Sequence, residues 1–133
     1  MAGKTPKETD GLINEAISTG NAEAAAQLYE PDGVLVLPGQ PEARGREAIR
    51  LAFIEFLRTK PTLTGMIRHM VVADDLAHVI SEWRLEGTGP DGEAFVETGL
   101  ATDVMRRQPD GTWLYVIDLP DGARTAGPWQ PVP

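Results

Sequence analysis

At Thr62 the chain changes its hydrophobic period, and this change limits the possible folds more than any other feature. Before it, Ile49, Ala52, Phe53, Phe56 and Leu57 recur at the i, i+3, i+4, i+7, i+8 spacing of a buried helix face. After it the period is two. Strands are predicted over Leu63 to Ala73, Ala77 to Gly87, Glu93 to Arg107 and Thr112 to Asp118. GPDG and QPDG join the last three as antiparallel hairpins, and Ala73-Asp74-Asp75-Leu76 supplies the earlier turn. Helices placed first and long strands second must pack on one face of a common sheet. The expected class is α+β, with three N-terminal helices on a curved, mainly antiparallel sheet whose concave side can hold a small molecule.

Two further helices precede the period change. Thr5, Pro6 and Glu8 form a capping box with proline at the first helical position, followed by an apolar stripe of Leu12, Ile13, Ala16 and Ile17 that ends near Thr19. Asn21 caps a second helix predicted to run through Tyr29, with Pro31-Asp32-Gly33 as its stop. Val34 to Leu37 reads as a short strand before the Pro38-Gly39-Gln40-Pro41 loop. The predicted organisation is a single domain over 1–121 and an extended, proline-rich tail over 122–133 around Trp129.

A chain of 133 residues buries enough surface to need neither disulfide nor metal. Its 12 Lys+Arg against 20 Asp+Glu give a net charge of -8, which repels polyanions and excludes nucleic acid and anionic membrane as partners. With no cysteine there is no thiolate nucleophile and no cysteine zinc site. His69 and His78 are the only histidines, and His78 falls on a polar strand face, so neither metal nor cofactor is expected. The N-terminal MAGKTPKETDGL has no apolar run of signal-peptide length, and no segment reaches the roughly 20 apolar residues of a membrane span. A cytoplasmic protein is the expectation.

Strand faces carry the next inference. Ala77, Val79, Trp83 and Leu85 alternate with His78, Glu82, Arg84 and Glu86, so the apolar set faces the helices. On the longest strand both faces are apolar: Val96, Leu100 and Val104 on one, Phe95, Gly99, Ala101 and Met105 on the other. An apolar face that no helix covers meets another subunit, and a homodimer packed through the outer sheet face is predicted; scattered surface apolars on a monomer are the alternative.

QLYEPDGVLVLPGQPEARGREAI and DVMRRQPDGTWLYVIDLP resemble the nuclear transport factor 2-like superfamily, in particular its ketosteroid-isomerase-like, SnoaL-like and SgcJ/EcaC-type bacterial members. The resemblance runs from about Thr5 to Pro120 and implies a cone of three helices and a curved sheet with a ligand cavity at its open end. Carried over residue by residue, the isomerase base falls on Leu37 and the oxyanion-donating tyrosine on Ile13. Only the second acid, a neutral hydrogen-bond donor, is matched, by Asp103. With base and phenol both missing, the resemblance does not imply double-bond migration by that mechanism.

Asp103 shares a strand face with Gly99 and Ala101 and, by hairpin pairing, with Val116 and Asp118. That pairing makes Asp103 and Asp118 diagonal neighbours, near enough for one carboxyl to stay protonated and for acid/base work, with His69 as another candidate base. In the structural alternative Asp118 caps the strand end and Asp103 accepts a structural hydrogen bond. Trp83 stands opposite Gly99 as core filler or cavity wall, and Tyr29 either packs in the cone base or points its hydroxyl inward. Arg44 and Arg46 are expected to be solvated. Candidate catalytic residues are therefore Asp103, Asp118 and His69, and candidate ligand contacts are Trp83, Ala101, Val116 and Tyr29. Three functions remain open: a binder of a small apolar ring compound, a cofactor-free isomerase or cyclase, and a dimeric association module.

Overall fold

The computed structural model describes residues 2–128 and 131–132. Helix α1 (Pro6–Ser18) starts where expected: Thr5 Oγ1 accepts from the Glu8 amide, and Glu8 reaches back to the Lys4 amide. Helix α2 (Ala22–Ala26) is capped by Asn21, and α3 (Arg46–Phe56) buries Ile49 and Phe53. The strands are β1 (Tyr29–Leu35), β2 (Ala43–Arg44), β3 (Thr62–Ala73), β4 (Leu76–Thr88), β5 (Ala94–Arg107) and β6 (Trp113–Leu119).

The sheet order is β2-β1-β6-β5-β4-β3, antiparallel throughout except for the parallel β1/β6 pair. The last strand is thereby inserted between the first and the fifth. A two-residue turn at Asp74-Asp75 closes β3 onto β4, with Asp74 at a φ of 52°, a conformation that aspartate tolerates better than most side chains. Ile13, Ala16 and Ile17 of α1, Ala25 and Ala26 of α2, and Ile49 and Phe53 of α3 form one core with Ala77, Val79 and Met105 of the sheet. Thr9 fastens α1 to β6: its Oγ1 accepts from Gly3 N and donates to Trp113 O at 2.8 Å.

The second helix is shorter than predicted. It stops at Ala26, and Tyr29 opens β1 instead of ending α2. Pro31-Asp32-Gly33 is consequently an irregularity inside β1, where the register against β6 shifts between Tyr29 and Val34. Both effects follow from pairing: the Tyr115 amide donates to Leu28 O and draws the chain into the sheet as soon as the alanine run ends. Nor is the tail wholly extended. Gly122–Ala126 forms a short helix, α4, and the expectation for Trp129 lies outside the described residues.

Candidate active site

The hollow between the helices and the sheet is about 150 Å³ in volume. Ile13 and Ile17 come to it from α1, Phe53 and Phe56 from α3, Leu35 from β1, Leu85 and Trp83 from β4, and Ala101 from β5. Leu37 and Pro38 also line a second depression, bounded by Gly39, Gln40, Glu97, Asp121 and Arg124. The aliphatic Leu37 and Ile13 both line this space. Trp83 is set by two glycines: it pairs with Gly65 on β3 and Gly99 on β5, and a Cβ added at Gly99 would lie 2.5 Å from the indole. The indole Nε1 donates to Pro120 O, which fixes the ring plane as a wall.

Of the five acids that line this space, Glu82 and Glu97 are exposed and Asp10, Asp103 and Asp118 are buried. Asp103 on β5 and Asp118 on β6 are Cα partners in the antiparallel ladder, directly opposite one another and not diagonal as predicted. That pairing brings the two carboxyls close enough for one proton to bridge them, the arrangement in which one is neutral and the other ionised. Leu119 N donates to Asp103 Oδ1 at 3.2 Å, and Tyr29 Oη donates to Asp118 Oδ2. Asp10 on α1 is the third acid; Tyr115 Oη donates to its Oδ1 at 3.0 Å. Tyr29 and Tyr115 are themselves buried, with ring centroids 5.3 Å apart.

Burial sets the electrostatics. It pushes the Asp103 carboxyl well above the usual range, and the neighbouring Asp118 charge adds to the effect. Burial also raises Asp118, opposed by its hydrogen bonds from Asp103 and Tyr29. Asp10 is raised chiefly by burial, against the lowering effect of Tyr115. Both phenols are held far above their ordinary range, again by burial first and by the surrounding carboxylates second, so they act here as donors and not as phenolates. One proton shared between two carboxyls in an apolar hollow is an acid and a base a hydrogen bond apart.

The sequence-derived candidates separate clearly in space. Asp103, Asp118, Trp83 and Ala101 line the hollow, and Tyr29 stands behind Asp118 as its donor. Val116 does not line it. The register against β5 shifts between Val104 and Met105, so that Val104 pairs with Ile117 and Met105 with Tyr115, which leaves Val116 as the extra residue of a bulge. That bulge turns Tyr115 inward beside Asp118. His69 is exposed and lies apart from the hollow: the shift between Ile67 and His69 pairs it with Ile80, on the sheet face opposite to the inward Val79 and Ser81. Arg46 departs from its solvated expectation, donating from Nε to Tyr29 O at 2.9 Å, whereas Arg44 pairs with Glu42 at the surface.

Three site residues escaped sequence reasoning: Asp10, Ser81 and Tyr115. Asp10 carried a signal, since it lies three residues before Ile13 and seven before Ile17, an acid in an apolar stripe. Ser81 sits between Val79 and Trp83 on the inward face of β4, and only the bulge reveals Tyr115. Among the described residues, no group of three or more His, Asp or Glu side chains is arranged to hold a metal ion, and no helix is long and apolar enough to cross a membrane.

Comparison with known proteins adds the following. Residues 12–116 match the family model of the SnoaL-like domain. A nuclear transport factor 2-like protein with a cystatin-like fold from Novosphingobium aromaticivorans superposes with a TM-score of 0.72 at 21% identity, over 90% of this chain and 82% of that one. A Catenulispora acidiphila protein in complex with S-DNPA is 27% identical, with a TM-score of 0.69 over 90% of this chain and 92% of that one. A candidate calcium/calmodulin dependent protein kinase II association domain from Xanthomonas campestris is also 27% identical, with a TM-score of 0.69 over 89% of each chain. No curated protein matches the chain.

Proposed function

Because this chain belongs to the SnoaL-like domain family and has the nuclear transport factor 2-like fold, we propose that it binds a small, largely apolar ring compound in its central hollow. The observation that carries this reading is an apolar space of about 150 Å³ with carboxyl groups in its wall. Its size supports one ring, since an engineered apolar cavity of about 150 Å³ holds benzene. The S-DNPA complex of the Catenulispora acidiphila protein supports a ligand in this family of shapes. Benzyl alcohol is the probe. Titrated into labelled protein and followed by amide chemical shifts, it is expected to move Trp83, Ala101 and Asp103 saturably, and Ala101→Phe, which fills the hollow, is expected to weaken it at least tenfold. Absence of a saturable shift at Ala101 and Trp83 overturns the reading.

The carboxyl pair favours a second reading, acid/base catalysis without a cofactor. Asp103 protonated and Asp118 ionised form a donor and an acceptor within one hydrogen bond. On a cyclic ketone, Asp103 would donate to the carbonyl oxygen while Asp118 takes the α-proton, giving an enol that reprotonates from solvent-exchanged acid. Deuterium from D2O should then enter cyclohexanone faster with the protein than with Asp103→Asn. Equal rates remove catalysis and leave binding.

The outer sheet face supports association of two copies. Val96, Leu100 and Ile117 are exposed there, and the charges among them are already paired within the chain as Arg68 with Glu82 and Arg84 with Glu86. Such a face opposes a rotated copy of itself without net repulsion, and the association-domain likeness points the same way. Sedimentation at micromolar concentration is expected to show a dimer that Leu100→Asp converts to monomer; a monomeric parent protein contradicts it.

A further inference from the structure

We infer that the ligand carries an ammonium group on its ring body, an assignment of chemical class that rests on the hollow being a binding site. The buried acids reach the space from separate elements, Asp10 from α1, Asp103 from β5 and Asp118 from β6; the exposed Glu97 and Glu82 also line it, Glu82 paired with Arg68. Among the described residues no lysine, arginine or histidine lines it. The arginines nearby are engaged elsewhere: Arg46 on Tyr29 O, and Arg124 on Asp121 and Thr98 O. The acids are met by two phenols, one backbone N–H and the proton between Asp103 and Asp118, none of which brings a cationic side chain. A carboxylate has about four acceptor sites, so most of this acceptor capacity remains open.

A second observation concerns a hydroxyl beside the acids. Ser81 Oγ, on a residue only 4% exposed, lines the same hollow and has no hydrogen-bond partner among the described residues. It lies close enough to Asp10 to favour its carboxylate, yet without the geometry of a formed bond. A buried hydroxyl without a protein partner is rare in native proteins, and one facing a hollow is met by water or by a polar group of the ligand that displaces it. An ammonium presents three donors, which suits Asp10, the Asp103/Asp118 pair and Ser81 together. Trp83 and Tyr115 place aromatic groups on the same walls, where rings attract a cation.

The competing ligand chemistries fit less well. An anion meets three carboxyls and no cation. A neutral oxygen acceptor uses the one proton shared by Asp103 and Asp118 and leaves Asp10 as before. The net charge of -8 also raises the concentration of cations around the protein as a whole.

Benzylamine and benzyl alcohol share a ring and a reach and differ in the charged group, so calorimetric titration of both into the full chain near pH 7 isolates it. Benzylamine is expected to bind at least tenfold more tightly. Ser81→Ala and Asp10→Asn are each expected to narrow that ratio to threefold or less, and Ser81→Ala suffices should Asp10→Asn not fold. Benzyl alcohol binding as tightly as benzylamine overturns the ammonium assignment while the binding reading stands. Failure of both probes overturns both. Benzylamine affinity that survives Ala101→Phe is surface attraction and also overturns the assignment.

Discussion

At the residue scale the protein is organised around acids that burial keeps from behaving as ordinary carboxylates. Asp103, Asp118 and Asp10 all have raised values in the folded chain, against about 3.9 for aspartate when unfolded. The folded state therefore holds protons that the unfolded state has lost, and stability from these groups is full below the unfolded value and declines as pH rises through the raised ones. The urea midpoint of unfolding is expected to fall as pH rises above about 4, and the fall to shrink in Asp103→Asn, whose amide keeps a neutral donor. An undiminished slope in the variant would show that Asp103 is not the proton holder. Asp103 and Asp118 were legible in the sequence because an aspartate among apolar strand neighbours is unusual. Their direct opposition was not, because it depends on a bulge that no local residue preference announces.

At the element scale that bulge and two glycines shape the hollow. Val116 loops out of register, which exchanges it for Tyr115 at the inner face. Alternation was read correctly on β4, where Ala77 and Val79 are buried as expected, since no irregularity intervenes there. It failed on β6 because one extra residue inverts every face beyond it. Helix α2 was overextended for a related reason: alanines favour helix, but backbone pairing of Leu28 with β6 outcompetes that propensity. Helix α4 hid behind the prolines that follow it, although Asp121 and Gly127, the latter at a φ of 71°, flank a proline-free stretch. Gly99 offers the cleanest test. Gly99→Val drives a side chain into Trp83, and a destabilisation of about 1–3 kcal/mol is expected by chemical denaturation, together with weaker benzyl alcohol binding. A stable variant with unaltered affinity would show that Trp83 is not a wall of the site.

At the scale of the whole molecule the two faces of one sheet do different work. The inner face bends around a hollow that the helices roof, while the outer face exposes apolar residues in a frame of paired charges. The helix-then-strand order made this division legible before any coordinates, because helices grouped at one end of a chain cover only one side of a sheet. What the order does not encode is how completely the core fills. Here the lining includes the small residues Ala101 and Gly65 beside Trp83, and the space persists. The account turns on a pair of carboxyls sharing a proton in that space, so the most direct measurement is a pH titration of aspartate side-chain carboxyl carbons by NMR, with Asp103→Asn to assign the resonance. The account predicts that one carboxyl of the Asp103/Asp118 pair titrates well above the ordinary aspartate range. Ordinary titration of both near pH 4 would contradict it.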